Sequence, residues 1–155
     1  MNIGKSMRLR FTRSTSGATA VEVALVAPVL MMLALGMADF SMWMWNKMRV
    51  QNAARAGAEH AAAKGFFDSA QVSTAITSAT GMAGVSATPA PTETCGCPSV
   101  SLGVITATCG STCASGQKAG TYVTAHAQAS YSMVFPWPGL PNPVTLNASA
   151  KVRIK

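Results

Sequence analysis

The pattern of apolar and polar positions begins with a long apolar stretch. From Ala18 to Ala38 the only charged residue is Glu22, and about 20 apolar residues suffice for a helix to cross the roughly 30 Å hydrocarbon core of a membrane. Apolar and small residues then recur at three- and four-residue spacing as far as Ala61, with charged residues between them, as in a helix with one buried face. We therefore predict one long helix that ends at Gly65, a residue suited to the left-handed C-terminal cap.

A second, shorter helix is predicted after this glycine. Asp68 or Ser69 is suited to be its N-cap residue, and Gly81 and Gly84 close it. Its apolar residues fall on one stripe: Val72, Ala75, Ile76 and Ala79.

The last third of the chain favours strands. Residues 123–132 and 144–155 alternate between apolar and polar side chains, the period of two that is typical of a strand with one buried face. The proline-rich joint 135–141 turns the chain between them, so we predict an antiparallel pair, with residues 100–108 as a third strand. The predicted fold class is α+β: a long N-terminal helix, transmembrane in its first half, then a short helix and a small antiparallel sheet.

The formal net charge is +7, and it is informative because of where the basic residues lie along the chain. Four of the twelve basic residues precede Gly17, ahead of the apolar stretch, where positive charge favours the cytoplasmic side of a membrane. Trp43 and Trp45 follow the stretch at its other end, and indole rings favour the membrane interface. Without the leader, eight basic residues stand against five acidic ones, a diffuse balance that gives little support for a nucleic-acid partner.

Three parts follow from this topology. Residues 1–17 form a basic cytoplasmic leader, residues 18–65 form the transmembrane and extended helix, and residues 66–155 form an extracytoplasmic α+β domain. Such a chain is a single-pass membrane protein with its N-terminus in the cytoplasm.

Four cysteines lie in a short window beyond the apolar helix: Cys95, Cys97, Cys109 and Cys113. The predicted topology places them in an oxidising compartment, so we expect disulfides. Four thiols permit three pairings, and the sequence does not choose among them; a nested pairing, first with last, would staple a hairpin. A four-thiolate zinc site is the alternative, but the spacing of the first pair departs from the usual C-x₂₋₄-C pattern, so we expect no metal.

The N-terminal part of the chain resembles the TadE-like family, the pseudopilin-type proteins of the tight-adherence (Tad, or Flp-type) pilus assembly system. The residues that carry the resemblance are 17–30 (GATAVEVALVAPVL), Gly36, Asp39 with Phe40, and 51–58 (QNAARAGA). The paired cysteines, the joint 135–141 and the terminal alternating strand are also similar to members of the family. The resemblance implies a pilin-like fold and a minor pilin-like subunit in assembly of an adhesive pilus. It also implies the bacterial inner membrane, other pilin-like subunits and pilus assembly proteins as partners.

Gly17, Ala18 and Glu22 resemble the processing site of a prepilin peptidase substrate. Glycine presents the least bulk to a peptidase that works at the membrane surface, so we expect cleavage after Gly17. A glutamate at the centre of the membrane would cost about 2.5–3.5 kcal/mol on insertion scales, so Glu22 needs a wet position or a partner. We expect the new α-amino group of Ala18, in the same or a neighbouring subunit, to be that partner; the alternative is stabilisation by the helix macrodipole and headgroup water.

Small residues along the apolar helix allow close approach of neighbouring helices in lipid. We expect the subunit-packing residues to be Glu22, Ala24, Ala27, Pro28 and Gly36. Asp39, at the end of the apolar stretch, is a candidate partner of Lys47 or an assembly contact, or else a solvated acid.

Two other classes of protein stay open. The residues Gly36-Met37-Ala38 have the small-x-small form of a signal-peptidase site, which would give a secreted soluble envelope protein cleaved after Ala38. A membrane-tethered envelope chaperone or enzyme is the other class. The sequence contains no Gly-rich phosphate loop, no H-E-x-x-H and no G-x-S-x-G, so we predict neither enzymatic activity nor a cofactor.

Overall fold

The computed structural model describes residues 16–101, 103–136 and 139–155. The chain divides into two compact units, residues 1–38 and 39–155, and each is described by itself. In chain order the elements are α1 (Ser16–Lys64), α2 (Ser69–Ser78), β1 (Thr92–Ser99), β2 (Gly103–Thr106), β3 (Gly120–Tyr131) and β4 (Val144–Arg153). This is the predicted α+β fold, with the long helix first. Of the predicted leader, residues 1–15 lie outside the described residues.

The first unit contains the apolar part of α1. Its described side chains, at position 17 and at 19–38, are exposed apart from the half-buried Ala27 and Gly36, and the helix runs through Pro28. Among the described residues α1 is the one helix long and apolar enough to cross a membrane. An apolar surface of this length without a protein cover fits a single-pass membrane protein.

The ends of the helices in the second unit follow the predicted capping chemistry. Gly65 has φ 67°, and its N–H donates to the carbonyl oxygen of Ala61 over 3.0 Å, as expected for a glycine that ends a helix. Of the two candidate N-caps of α2, the structure selects Asp68. Its carboxylate accepts the N–H groups of Ala70 and Gln71 at 2.9 and 3.2 Å, which satisfies two of the unpaired donors at the start of α2.

The sheet is antiparallel with strand order β2-β1-β3-β4. The predicted antiparallel pair is confirmed: β3 and β4 pair from Tyr131 opposite Val144 to Tyr122 opposite Arg153. Strand β2 occupies only residues 103–106 of the predicted strand 100–108. Strand β1 was missed, because its sequence TETCGCPS has no run of alternating apolar residues.

The core of the second unit joins small residues of α1 to α2 and to one face of β3. Its largest fully buried side chains are those of Ile76, Leu146, Val50, Val72 and Val123. Alanines supply most of the rest: Ala53, Ala54, Ala58 and Ala61 of α1, and Ala125, Ala127 and Ala129 of β3. Gly57 marks the closest approach, since a Cβ built there would lie 2.5 Å from Ile76 Cγ1 and 3.3 Å from Ala125 Cβ.

Two disulfides join β1 to the segment after β2. The pairs are Cys95–Cys109 and Cys97–Cys113, with Cα–Cα distances of 5.1 and 5.6 Å. Of the three pairings that the sequence left open, the structure has the crossed one and not the nested one. The register explains it: Ala107 N–H donates to Cys95 O over 2.9 Å, so Cys109, two residues further, lies beside Cys95, and the chain turns back to bring Cys113 to Cys97.

Candidate functional site

The proposed processing site lies in the first turn of α1. Gly17 is the second residue of the helix, and among the described residues no atom outside its chain neighbours and the adjacent helix backbone lies within 4 Å of the position where a Cβ would be. The helix therefore begins two residues before the predicted Ala18, whose side chain is outside the described set. Because a peptidase binds extended backbone, cleavage after Gly17 would require this first turn to unwind.

Glu22 lies on the same exposed helix, in the first unit. Its side chain borders a shallow apolar surface formed by Val23, Val26, Ala27 and Leu30. Four residues of helical rise separate the Cα atoms of Ala18 and Glu22 by about 6 Å. That separation allows a pairing within one helix and leaves the carboxylate equally open to a neighbouring chain.

The five predicted packing residues do not share one face of α1. At about 100° per residue, Ala24, Ala27 and Pro28 lie within about 100° of one another. Glu22 lies about 120° or more from each of these three, and Gly36 lies between Glu22 and Pro28, about 40° from the first and about 80° from the second. Ala24, Pro28 and Glu22 are exposed, and Ala27 and Gly36 are half-buried. The predicted packing residues are thus distributed around the helix.

Asp39 forms a contact that the sequence did not reveal. The side chain is 6% exposed; its Oδ1 accepts the N–H of Val134 and its Oδ2 accepts the N–H of Phe135, each over 3.0 Å. The predicted alternative partner, Lys47, instead places its Nζ 5.6 Å from the ring centroid of Trp43. No short-range spacing rule links position 39 to positions 134 and 135, so only the fold could show this pair.

A second side chain closes the same connection between β3 and β4. Met133 N–H donates to Asn142 Oδ1 over 3.1 Å. Three consecutive backbone N–H groups, at 133–135, therefore donate to side-chain oxygens. Trp137 and Pro138, within the predicted proline-rich joint, lie outside the described residues.

Tyr131, at the end of β3, is 8% exposed, and its hydroxyl is buried with no hydrogen-bond partner among the described residues. Burial, and in second place the negative charge of Asp39, raise the pKa of Tyr131 above its ordinary value. The phenol therefore stays protonated at neutral pH. Asp39 itself accepts two backbone N–H groups, an arrangement that stabilises a carboxylate.

Comparison with known proteins confirms the resemblance carried by the N-terminal residues. Residues 17–59 match the family model described as TadE-like protein, and the match lies entirely within α1. The family is tied to Tad pilus systems; it is a pilus-associated structural family that is not known as enzymatic. None of the curated proteins and none of the solved structures matches the chain.

Proposed function

We propose that this protein is a minor pilin-like subunit, a pseudopilin, that takes part in assembly of a Tad/Flp-type adhesive pilus from the bacterial inner membrane. The observation that carries the proposal is the match of residues 17–59 to the TadE-like family on a helix whose apolar side chains are exposed. Exposed apolar side chains are unfavourable in water. Lipid covers them before assembly, and neighbouring helices cover them afterwards.

Maturation is the first step of the proposed function. Prepilin peptidase hydrolyses the peptide bond between Gly17 and Ala18. One water molecule is consumed, and the products are a leader that ends in the carboxylate of Gly17 and a mature chain that begins with the ammonium group of Ala18. The basic leader holds the N-terminus in the cytoplasm until then. The exposed, unhindered Gly17 supports this site of cleavage.

Glu22 and the new ammonium group then direct packing. A charge inside hydrocarbon is stabilised by an opposite charge, so Glu22 pairs with Ala18 of its own or of a neighbouring chain. The five packing residues, Glu22, Ala24, Ala27, Pro28 and Gly36, are distributed around the helix, which suits a subunit that contacts more than one neighbour.

The second unit lies outside the cytoplasm in this proposal. The two disulfides support that location, because structural disulfides persist in oxidising compartments and are rare in the cytosol. The remaining expected partners are other pilin-like subunits and pilus assembly proteins, with no nucleic acid and no cofactor.

The proposal is tested by pilus assembly in the native host. Deletion of the protein is expected to abolish or strongly reduce surface pili, and the wild-type chain is expected to restore them. Glu22→Gln removes the charge while it keeps the shape, so it is expected to insert in the membrane and to fail in restoration; Glu59→Gln, an exposed glutamate in the second unit, serves as the matched control. Normal piliation without the protein would contradict the proposal.

Cell fractionation separates the proposal from the alternative of a secreted protein. The proposed subunit is extracted from membranes only by detergent. A soluble product that begins at Asp39 would instead identify a secreted envelope protein cleaved after Ala38. A tethered chaperone or enzyme would leave pili intact and would show an activity of residues 66–155.

A further inference from the structure

Within the connection between β3 and β4, residues 133–143, the described part at 133–136 and 139–143 presents apolar side chains to solvent. We call residues 133–143 the proline connection; its sequence MVFPWPGLPNP contains no charged residue. Val134 is 70% exposed, Leu140 58% and Phe135 42%. Exposed apolar side chains grouped on one connection indicate a contact surface rather than ordinary surface composition.

Asp39 fixes the position of this connection along the chain. Its two carboxylate oxygens hold the N–H groups of Val134 and Phe135, each at 3.0 Å, and Asp39 directly follows Ala38, the last residue of the apolar stretch. The proline connection is therefore held at the residue where the chain leaves the apolar stretch. Phe40, the next residue, is 61% exposed.

Seven of the eleven residues of the proline connection present no unpaired N–H group. Where water is scarce, an N–H group needs a partner within the protein. Met133, Val134 and Phe135 donate to Asn142 or to Asp39. Four further residues have no N–H to satisfy, since they are prolines: Pro136, Pro138, Pro141 and Pro143.

The residues that follow Asp39 on α1 match the order of environments across a membrane surface. Trp43 lies about 6 Å further along the helix and Lys47 about 12 Å further. The headgroup layer adds about 5–8 Å on each side of the hydrocarbon, and indole rings favour this layer. Lys47 places its ammonium group over the Trp43 ring, where it can also meet lipid phosphates.

We propose that the proline connection is a membrane-surface anchor, with Val134, Phe135 and Leu140 in the interfacial layer of the bilayer that α1 spans. This inference rests on the membrane insertion in the proposed function. Lipid is favoured over a second copy of the chain, because Asp39, which holds the connection, directly follows the apolar stretch in the sequence, and Trp43 and Lys47 follow it in the order typical of a membrane surface. The second unit is then held to the membrane at two points, the helix and the anchor.

The anchor is tested by NMR of the full, disulfide-intact chain in phosphatidylcholine–phosphatidylglycerol nanodiscs that hold one copy each. A nitroxide at carbon 5 of the acyl chain broadens nearby methyl signals, and interfacial side chains lie about 5–10 Å into the headgroup and acyl boundary. We expect the methyl signals of Val134 and Leu140 to be lost. Ile105 in β2, 49% exposed, is the matched control and is expected to keep its signal. Leu30 in the apolar stretch reports membrane insertion itself: a nitroxide near the end of the lipid acyl chain is expected to broaden its signal.

The outcomes separate the two proposals. Loss of the Leu30 signal with Val134 and Leu140 unaffected overturns the anchor and leaves the proposed function standing. If Leu30 is also unaffected, membrane insertion fails and the anchor fails with it. A third outcome is that the methyl signals of Val134 and Leu140 are unaffected by the nitroxide and change only in discs that hold two copies of the chain. In that case the surface is a subunit interface and the lipid proposal is wrong.

Two variants make the inference specific to these contacts. Val134→Asn keeps the backbone N–H that Asp39 accepts and removes an apolar side chain, so it is expected to weaken the broadening of Leu140. Asp39→Asn removes the charge and one acceptor oxygen, so it is expected to weaken the broadening of both reporters without change at Ile105. Unchanged broadening in both variants would overturn the proposed anchor.

Discussion

Replacement of Gly57 by alanine tests how closely α1 packs in the core of the second unit. The new Cβ would lie 2.5 Å from Ile76 Cγ1 and 3.3 Å from Ala125 Cβ, whereas carbon atoms pack best at about 3.5–4.0 Å. Either α1 or the Ile76 side chain therefore has to move by about 1 Å. Ile76 is fully buried, at 0% exposure. Overpacking of this kind costs about 1–3 kcal/mol.

Helix propensity acts in the opposite direction. Alanine is favoured over glycine in a helix interior by about 1 kcal/mol, so the net destabilisation by Gly57→Ala is expected to be about 1 kcal/mol, with an upper limit near 2. In an Ile76→Ala background the clash with Ile76 is absent, and the same substitution is expected to stabilise by up to about 1 kcal/mol. The sign of the effect is therefore expected to change.

The assay is urea denaturation of the disulfide-intact full chain in detergent, followed by tryptophan fluorescence, with the free energy of unfolding taken from the midpoint and slope. Asn52, exposed in the same helix, provides the control: the difference between Asn52→Ala and Asn52→Gly measures propensity alone. Stabilisation by Gly57→Ala in the wild-type background, equal to that control, would show that Ile76 does not press on the glycine and would refute the packing argument.

Three further predictions concern the second unit. Asp39→Ala removes two hydrogen bonds to a charged group, each worth about 1.5–3 kcal/mol when water cannot replace it. Since Val134 is exposed, we expect the loss of stability per hydrogen bond to lie near the low end of that range. It is measured as faster hydrogen exchange at the amides of residues 134 and 135, and unchanged exchange there would contradict the contact. The hydrogen bond from the Gln71 N–H is the main cause that lowers the pKa of Asp68 below its usual 3.8, so the stabilisation of α2 is present above that pH and is lost as pH falls through the folded pKa; Asp68→Asn should remove this acid sensitivity, and an identical acid titration of α2 helicity in both proteins would refute it. A double serine variant at Cys95 and Cys109 is expected to contain no free thiol, whereas the same change at Cys95 and Cys113 leaves two that react with maleimide; a disulfide between the two remaining cysteines of the second variant would contradict the crossed pairing.

The sequence predicted the elements whose signal is local. The capping glycine at Gly65, the N-cap choice between Asp68 and Ser69, and the alternating strands β3 and β4 depend on residues within a few positions of one another. Strand β1 was not found, because its burial comes from pairing with β3 and from its two disulfides and not from an alternating run of apolar side chains. The crossed cysteine pairing likewise depends on strand register, which the spacing of cysteines does not contain.

The same distinction applies to the candidate site. Gly17, Ala18 and Glu22 could be named from the sequence, because the family pattern in residues 17–59 is linear. The partner of Asp39 could not, because its contacts with Val134 and Phe135 bridge 95 and 96 positions. A buried carboxylate held by backbone N–H groups leaves no mark of charge pairing in the sequence. The alternatives of a Lys47 partner and of a solvated acid therefore gave no sign of this contact.

The central claim, a pilin-like helix matured at its cytoplasmic end, is tested most directly by the N-terminus of the natural product. The protein is produced in its native host with its prepilin peptidase present, extracted from membranes, and analysed by intact mass and N-terminal sequencing. The account predicts a mature chain that begins at Ala18. A chain that retains Met1, or one that begins at Asp39, would contradict it.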